Sequence, residues 1–463
     1  MSPRFRRLLL LFALVAGTWG CAHRSGEALA PASVARKMEA ANGPSRDAKQ
    51  ARGSFTRLDA AKPFDPRLIV TTQVAHGDLF LHAFGPTGPR YVSASRVHRG
   101  QQAYFLPFAA NYGVSADRRS DVTYELGIRR PDGLLDGPVL ESVLWRGAVA
   151  SPGLVLYPAT TVIFQADEDD PVGDYLVTAR VTDHLAGETR ELTHIFTVVD
   201  YHPASLPVEF DARAWFLAYY QQPAPELALA ALPALHYGRT MEERTAELPA
   251  LLGFYDQILT DNAWLLPAFC ARLAAAEPDE AYVLSLVLGH HLRAAAEPPA
   301  GVDFAAWVRL EDFRGYAWPA DAEAPLARTA QLDALWGRFF ASGLYAPLSG
   351  ILAALAHHAD LGAADRWQEA RAAAGQPADL SPAALADAEE GASEAPPLEV
   401  RRDVLLRNAL WSLRGNARRH TLVRSYLDWN LRLGELPAPQ AALLQHILAP
   451  ETATADTAQA TKR

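Results

Sequence analysis

Lysine is nearly absent from the body of this 463-residue sequence. The chain carries it only at Lys37, Lys49, Lys62 and Lys462. Because residues 63–461 have arginine as their only permanently charged cation, a P-loop lysine, a Schiff-base lysine and a Ser-x-x-Lys acylation centre are excluded there. Gly-x-Ser-x-Gly and His-Glu-x-x-His are absent as well. No recognisable catalytic motif remains.

Acidic residues outnumber basic ones, with 53 Asp and Glu against 43 Lys and Arg, which gives a formal net charge of −10. The first twenty residues hold three arginines and no acidic residue, so their removal would take the charge to −13. A surface of this sign repels phosphate backbones and anionic headgroups over a Debye length. We therefore expect no nucleic-acid partner. The composition is otherwise that of a globular protein, long enough for two or three domains.

An unbroken apolar run occurs near the start of the chain. Arg4, Arg6 and Arg7 precede the apolar residues 8–16, and small residues follow. The run is too short to span a bilayer, which needs about 20 apolar residues. The order of positive charge, apolar run and small residues predicts a secretory signal peptide over residues 1–20.

Residues 17–21, Gly-Thr-Trp-Gly-Cys, resemble the lipobox of bacterial lipoproteins. Gly20 fits the position before the cysteine, whereas the two residues before it depart from the leucine-like and small residues that the family prefers. The resemblance implies that the chain is cleaved before Cys21, which becomes acylated and anchors the protein in a membrane. Ala22 is not the aspartate that holds some lipoproteins in the inner membrane, so the implied location is the outer membrane, facing the periplasm or the cell surface. An ordinary cleaved signal with an incidental cysteine is the alternative.

Cysteine is the second scarce residue, with Cys21 and Cys270 alone. If Cys21 is acylated, Cys270 has no intramolecular partner, and the fold cannot rest on a disulfide. Cys270 lies in an apolar, helix-like stretch, where a small buried hydrophobe is expected. A thiol nucleophile is the alternative.

The region 63–202 follows a predicted flexible tether over residues 21–62 and has the alternation and turn residues of β-strands. Seven short strands separated by turn residues favour a β-sandwich. The expected strands are Leu68–Val74, Ala103–Ala109, Val122–Ile128, Val139–Trp145, Thr161–Gln165, Tyr175–Val181 and Glu191–Val199.

Residues 170–175, Asp-Pro-Val-Gly-Asp-Tyr, resemble the tyrosine corner of immunoglobulin-like and fibronectin-like sandwiches, with one extra residue in the turn. The resemblance implies that the Tyr175 hydroxyl bonds back to the turn backbone. It also implies that Tyr175–Thr182 is the penultimate strand and that Arg190–Val199 is the last. A sandwich of this type implies no particular function.

From residue 203 the apolar period becomes helical, which predicts an all-α array over residues 203–450. The fold class is therefore a multi-domain β + α chain, in which an immunoglobulin-like β-sandwich is followed by an all-α helical array. A mobile insertion is expected near residues 375–397, and a disordered tail over residues 451–463. The clearest apolar stripes are Leu248, Leu251, Leu252, Tyr255 and Leu259; Val283, Leu286, Val287 and His290; Leu332, Leu335, Trp336 and Phe339; and Val423, Tyr426, Leu427 and Leu431.

An aromatic band opens the helical region, formed by Trp215, Phe216, Tyr219 and Tyr220. Trp215, Tyr219 and Tyr220 are the candidate lining of a groove for a peptide or glycan. Packing inside the core is the alternative.

Two histidine pairs and one acidic turn contain the candidate metal ligands. His290-His291 and His357-His358 each place neighbouring rings about 100° apart on a helix, so a pair gives at most one ligand to a given ion. The acidic turn Asp167–Asp170 offers oxygen ligands to calcium but lacks the spaced EF-hand pattern, and solvated turn acids are the alternative. We expect no metal and no cofactor, and the calcium question stays open.

The sequence therefore favours an envelope-anchored lipoprotein without enzymatic activity, a binding or scaffold protein. Its partners would be the membrane, through the lipid anchor, and a protein of the cell envelope. One alternative is a periplasmic hydrolase that acts on envelope polymers through the helical domain, for which an exposed His290 in a cleft would be the mark. Another is a small-ligand-binding protein with its site between the two domains.

Overall fold

The computed structural model of the protein describes residues 55–56, 59, 61–82, 90–150, 153–158, 160–237, 241–292, 329–376, 380 and 396–449. The predicted leader, Cys21, most of the tether, most of the predicted insertion and the tail lie outside the described residues. Within the described part, no helix combines the length and the apolar character needed to cross a membrane.

The chain divides into two compact units, one of β-strands and one of helices. The β unit holds the described residues up to Thr72 together with Ser93–Asp200. The helical unit holds Gln73–Val92 together with the described residues from Tyr201 onwards. The protein is thus a mixed β and α protein.

The β unit contains ten described strands, and each of the seven predicted strands overlaps one of them. They are β1 (Phe55–Thr56), β2 (Asp65–Thr71), β3 (Arg96–His98), β4 (Gln102–Ala110), β5 (Val114–Ser115), β6 (Arg119–Arg129), β7 (Leu140–Ala148), β8 (Val162–Gln165), β9 (Gly173–Asp183) and β10 (Glu188–Val199).

These strands form a five-stranded sheet in the order β3-β10-β9-β6-β7, a three-stranded sheet β2-β4-β8 and a short β1-β5 pair. The two larger sheets contribute to one hydrophobic cluster, which contains Phe105 of β4 and Phe196 of β10. Alternation explains β6, where Val122, Tyr124 and Leu126 are buried while the residues between them are partly exposed.

The hydroxyl of Tyr175 donates a hydrogen bond of 3.0 Å to the carbonyl oxygen of Pro171. The ring is fully buried and stacks on Phe196 with centroids 5.5 Å apart. The predicted role of Tyr175 at this turn is confirmed. The strand that it begins and the last strand are confirmed as β9 and β10, with ends that differ by up to two residues from the predicted ones.

The first predicted strand is displaced, because Gln73 leaves the β unit. The chain then makes an excursion between residues 73 and 92, whose described residues, 73–82 and 90–92, belong to the helical unit and include helix α1 (His76–His82). The Gln73 amide joins the two ends of the excursion to the helical unit: its Oε1 accepts from the Val92 backbone N–H at 2.7 Å, and its Nε2 donates to the Tyr220 carbonyl at 3.3 Å. The predicted contiguous β region over 63–202 did not anticipate this excursion.

The helical unit is built from α1 and eleven further described helices, and the four predicted stripes lie on α4, α6, α7 and α11. The helices are α2 (Ala212–Ala218), α3 (Ala228–Tyr237), α4 (Met241–Asp261), α5 (Leu266–Ala275), α6 (Pro278–His291), α7 (Thr329–Ser342), α8 (Tyr345–Leu352), α9 (Ala363–Ala373), α10 (Leu398–Arg419), α11 (Thr421–Leu433) and α12 (Ala438–Leu448).

Helices α4 and α7 cross at two glycines. A Cβ placed on Gly253 would collide with the carbonyl oxygen of Ala334, and a Cβ on Gly337 would collide with that of Ala250. Each glycine therefore lets the backbone of one helix approach the backbone of the other more closely than any side chain permits. This crossing brings the polar side chains that flank the two glycines close together.

Candidate functional site

A cluster of charged and histidine side chains lies beside the α4–α7 crossing. Asp256 follows Gly253 by one turn of α4, and Arg338 follows Gly337 directly on α7. The Arg338 guanidinium Nη2 lies 2.7 Å from Asp256 Oδ2, with both side chains largely buried. The close helix crossing thus places a buried ion pair.

Helix α6 supplies two imidazoles to the same carboxylate. His291 Nδ1 lies 3.0 Å from Asp256 Oδ1, and His290 Nε2 lies 3.9 Å from Asp256 Oδ2. The His291 side chain is 16% exposed, whereas that of His290 is 1% exposed. Of the two histidines, therefore, only His291 has a ring that is partly exposed to solvent and that also contacts Asp256.

Burial alone would raise the pKa of Asp256, but the hydrogen bond from His291 and the positive charge of Arg338 outweigh it and lower the pKa. An ionised carboxylate accepts a hydrogen bond from Nδ1–H, which leaves Nε2 of a neutral His291 as an acceptor. An imidazole oriented in this way by a carboxylate is the arrangement that general-base catalysis uses.

A second carboxylate on α4, that of Asp261, has the opposite electrostatic environment. Burial, with a further contribution from the negative charge of Asp256, raises the pKa of Asp261 to about 7, although Gln257 Nε2 donates to its Oδ1 at 2.9 Å. Neighbouring carboxylates with pKa values pushed apart occur at many acid–base sites, and also in structural ion networks.

Sequence reasoning singled out both histidines but not Asp256 or Arg338. His291 is 35 residues from Asp256 along the chain, and Arg338 is 82 residues from it. No local spacing pattern links residues so far apart. Among the described residues, no group of three or more His, Cys, Asp or Glu side chains is arranged to hold a metal ion.

The predicted groove residues lie in the aromatic packing of the helical unit. Trp215 and Tyr219 both contact Phe254 edge-to-face, with centroids 5.4 Å away, while Tyr220 packs on Phe339. Tyr219 and Tyr220 are buried and Trp215 is half-buried. This environment is the one expected if the aromatic band packs inside the core. The assignment of Trp215, Tyr219 and Tyr220 to a ligand groove stays a prediction.

The remaining candidates occupy separate places. At the acidic turn, Asp170 Oδ2 accepts from the Asp167 backbone N–H at 2.8 Å, so one carboxylate of this turn is engaged by the turn itself. His357 and His358 lie in the 3-10 segment Ala353–Asp360, where His358 Nδ1 bonds to the Leu355 carbonyl. Cys270 is buried on α5, and burial raises the pKa of its thiol to about 11, as expected of a packed hydrophobe.

One residue that sequence reasoning missed stands out on the surface. Trp411 of α10 is 82% exposed, an unusual state for the largest side chain. Arg414 and Arg418 follow at three and seven residues, and these spacings place them on the face of α10 that carries Trp411. The spacing was the available signal, because an indole flanked by arginines on one helical face is readable from sequence.

No family model matches this chain, and no curated protein matches it either. Among solved structures, it is similar to the CARDB domain of a Pyrococcus furiosus protein in complex with di-metal ions, at 10% identity, over 34% of this chain and 99% of that one, with a TM-score of 0.18. It is similar to an immunoglobulin-like protein from Pseudomonas aeruginosa at 13% identity, over 32% of this chain and all of that one, with a TM-score of 0.16.

The Escherichia coli alpha-2-macroglobulin in its native conformation aligns with 84% of this chain at 15% identity, with a TM-score of 0.18. The alignment spans a quarter of that protein's length. These TM-scores are too low for any of the three likenesses to carry an argument about function.

Proposed function

We propose that this protein is an envelope lipoprotein, held at the outer membrane through acylated Cys21, whose folded units bind rather than catalyse. The distribution of side chains in the helical unit carries the proposal. Groups suited to acid–base chemistry, such as Asp256 and His290, are buried against one another, whereas Trp411, a residue suited to binding, is exposed. The proposed partners are the membrane and a protein of the cell envelope.

The β unit is, in this proposal, an immunoglobulin-like sandwich that serves as a spacer or adhesion module. Two sheets that share one hydrophobic cluster support this assignment, as does the hydrogen bond from Tyr175 to Pro171. The export-type leader with a cysteine at its end supports the location.

The anchor is tested by mass spectrometry of the mature protein from bacterial membranes, beside a Cys21→Ala variant. We expect the first residue to be Cys21 with acyl chains attached, and the variant to leave the membrane fraction. A different first residue, or an unmodified thiol at Cys21, would contradict the proposal.

A periplasmic hydrolase acting on envelope polymers is the second candidate, favoured by the Asp256–His291 pair with its partly exposed imidazole. The two functions differ in their response to His291→Ala. Loss of polymer cleavage in that variant, with the fold and partner binding retained, would establish the hydrolase. Under the binding proposal, the variant keeps its partner interactions and no cleavage is found in the wild type. The matched control is His358→Ala, which alters a histidine away from Asp256.

A further inference from the structure

The α10 face is the stretch of helix surface formed by Trp411, Arg414 and Arg418. On an α-helix, residues separated by three, four and seven positions share one side, so the indole and the two guanidinium groups form a stripe about 10 Å long. Gly415 lies within the stripe, and a Cβ placed on it would meet nothing within 4 Å. The stripe is therefore open beside the indole.

The charge of α10 is opposite to that of the whole chain. This helix has six arginines and two acidic residues, whereas the chain has a net charge of −10. One of the six, Arg407, is held by Asp365 and Asp403 in ion pairs of 2.6 and 3.0 Å. Arg414, which is partly exposed, and Arg418, which is exposed, lie further along α10, towards its C-terminal end. A positive stripe on an acidic protein selects an anionic partner and turns this face towards it.

The chemistry of the stripe favours phospholipid headgroups as that partner. Guanidinium groups bind phosphate oxygens through paired hydrogen bonds, and an indole is favoured at the boundary between headgroups and acyl chains. A stable protein complex covers about 800 Å² on each partner around an apolar centre. On α10 the only large apolar side chains exposed are Trp411 and Leu398, which are thirteen residues apart, so this helix lacks such a centre.

We propose that the α10 face is a membrane-docking surface, on which Arg414 and Arg418 bind the phosphates of anionic phospholipids and Trp411 enters the headgroup region. The inference deepens the proposed function, because an anchor at Cys21 would keep α10 near a bilayer. Repulsion between the acidic remainder of the protein and the same bilayer would orient the molecule with α10 towards the lipid.

The test uses the chain from residue 21 onwards with Cys21→Ser, so that no acyl chain contributes, mixed with vesicles of phosphatidylcholine alone or with added phosphatidylglycerol. Bound protein is measured by flotation at low and high salt. The variants are Trp411→Ala and the double substitution Arg414→Gln with Arg418→Gln. The matched controls are Tyr282→Ala, an exposed aromatic residue on α6, and Arg402→Gln with Arg424→Gln, which removes the same charge from other exposed positions. Equal melting temperatures establish that every variant is folded.

We expect binding to phosphatidylglycerol vesicles that high salt weakens. Each arginine near an anionic surface contributes about fivefold to the partition constant, so the double substitution on the α10 face should lower it about 25-fold. Trp411→Ala should lower it about fivefold or more, and both controls should bind as the parent chain does.

Equal binding by the face variants and the controls, or no binding by the parent chain, would overturn the inference. Substitutions on the face that leave vesicle binding intact but remove a crosslink to an acidic envelope protein would also overturn it, in favour of a protein partner. Because Cys21 is absent from this test, failure of the lipid anchor is seen separately, in the mass of the mature protein.

Discussion

At the scale of single residues, α4 shows how neighbours decide the ionisation of identical side chains. Asp256 has a lowered pKa because His291 and Arg338 outweigh its burial, whereas Asp261 has a raised pKa because burial and the charge of Asp256 dominate. The folded state therefore favours the ionised form of Asp256. Asp261 opposes folding whenever it is ionised.

Asp261→Asn should therefore stabilise the protein at high pH. The pKa of Asp261 in the folded protein is about 7, against about 3.9 in the unfolded chain, so ionisation weakens the fold progressively between these values and fully above pH 7. We expect the free energy of unfolding to rise by about 4 kcal/mol at pH 8 and by about 0.5 kcal/mol or less near pH 4, measured by urea denaturation. The asparagine Oδ1 still accepts from Gln257. An identical gain at both pH values would contradict the assigned cause.

The Tyr219 hydroxyl offers a second residue-scale prediction. This side chain is 3% exposed, and its oxygen has no hydrogen-bond partner among the described residues. Because an unsatisfied buried hydroxyl destabilises the fold, Tyr219→Phe should raise the free energy of unfolding by about 1 kcal/mol, measured by thermal melting. Tyr219→Ala, the control that also removes the ring, should lower it by about 3 kcal/mol or more. A loss of stability in the phenylalanine variant would point to a polar partner for the hydroxyl, as a ligand groove at Tyr219 predicts.

At the scale of elements, the α4–α7 crossing joins backbone packing to the candidate site. The carbonyl oxygens of Ala250 and Ala334 occupy the space that Cβ atoms on the facing glycines would need. The same contact places Arg338 against Asp256. Packing and electrostatics therefore depend on one geometry.

Gly253→Ala and Gly337→Ala should each lower the free energy of unfolding by about 3 kcal/mol, because a rigid backbone carbonyl blocks the added methyl group. The measurement is chemical denaturation monitored by circular dichroism. Gly415→Ala on α10 is the matched control, since its Cβ meets open space and alanine favours a helix, so stability should rise by about 0.5–1 kcal/mol. A similar loss at all three glycines would show that the effect is not specific to the crossing.

Interactions between residues close together in the sequence could be predicted, whereas those between residues far apart in the sequence were missed. The strand β6 and the bond of Tyr175 depend on alternation and on a turn four residues away, both visible locally. The pairing of Asp256 with Arg338 requires two helices to meet and cannot be read from spacing. The excursion was missed because α1 is only seven residues long, too short to show a helical period.

At the scale of the whole molecule, the helical unit is discontinuous in sequence because it includes residues from within the β region. His82 of α1 stacks on Tyr345 with centroids 5.0 Å apart and meets Trp429 edge-to-face at 4.3 Å. Asp78 accepts a hydrogen bond of 2.7 Å from the Tyr345 backbone N–H. The first turn of α8 and one side of α11 are thus completed by residues that precede β3.

A fragment that begins at Tyr201 would therefore lack part of its own core. Without α1, the rings of Tyr345 and Trp429 lose a buried partner, and we expect the fragment to be less stable than the same unit in the full chain by about 3 kcal/mol. Hydrogen exchange should show the loss first in α8 and α11, while α5, which has no described ring contact with His82, changes least. His82→Ala in the full chain is the control, and it should reproduce part of the effect at the same two helices. Exchange rates in the fragment equal to those in the full chain would mean that α1 is attached to this unit without supporting it.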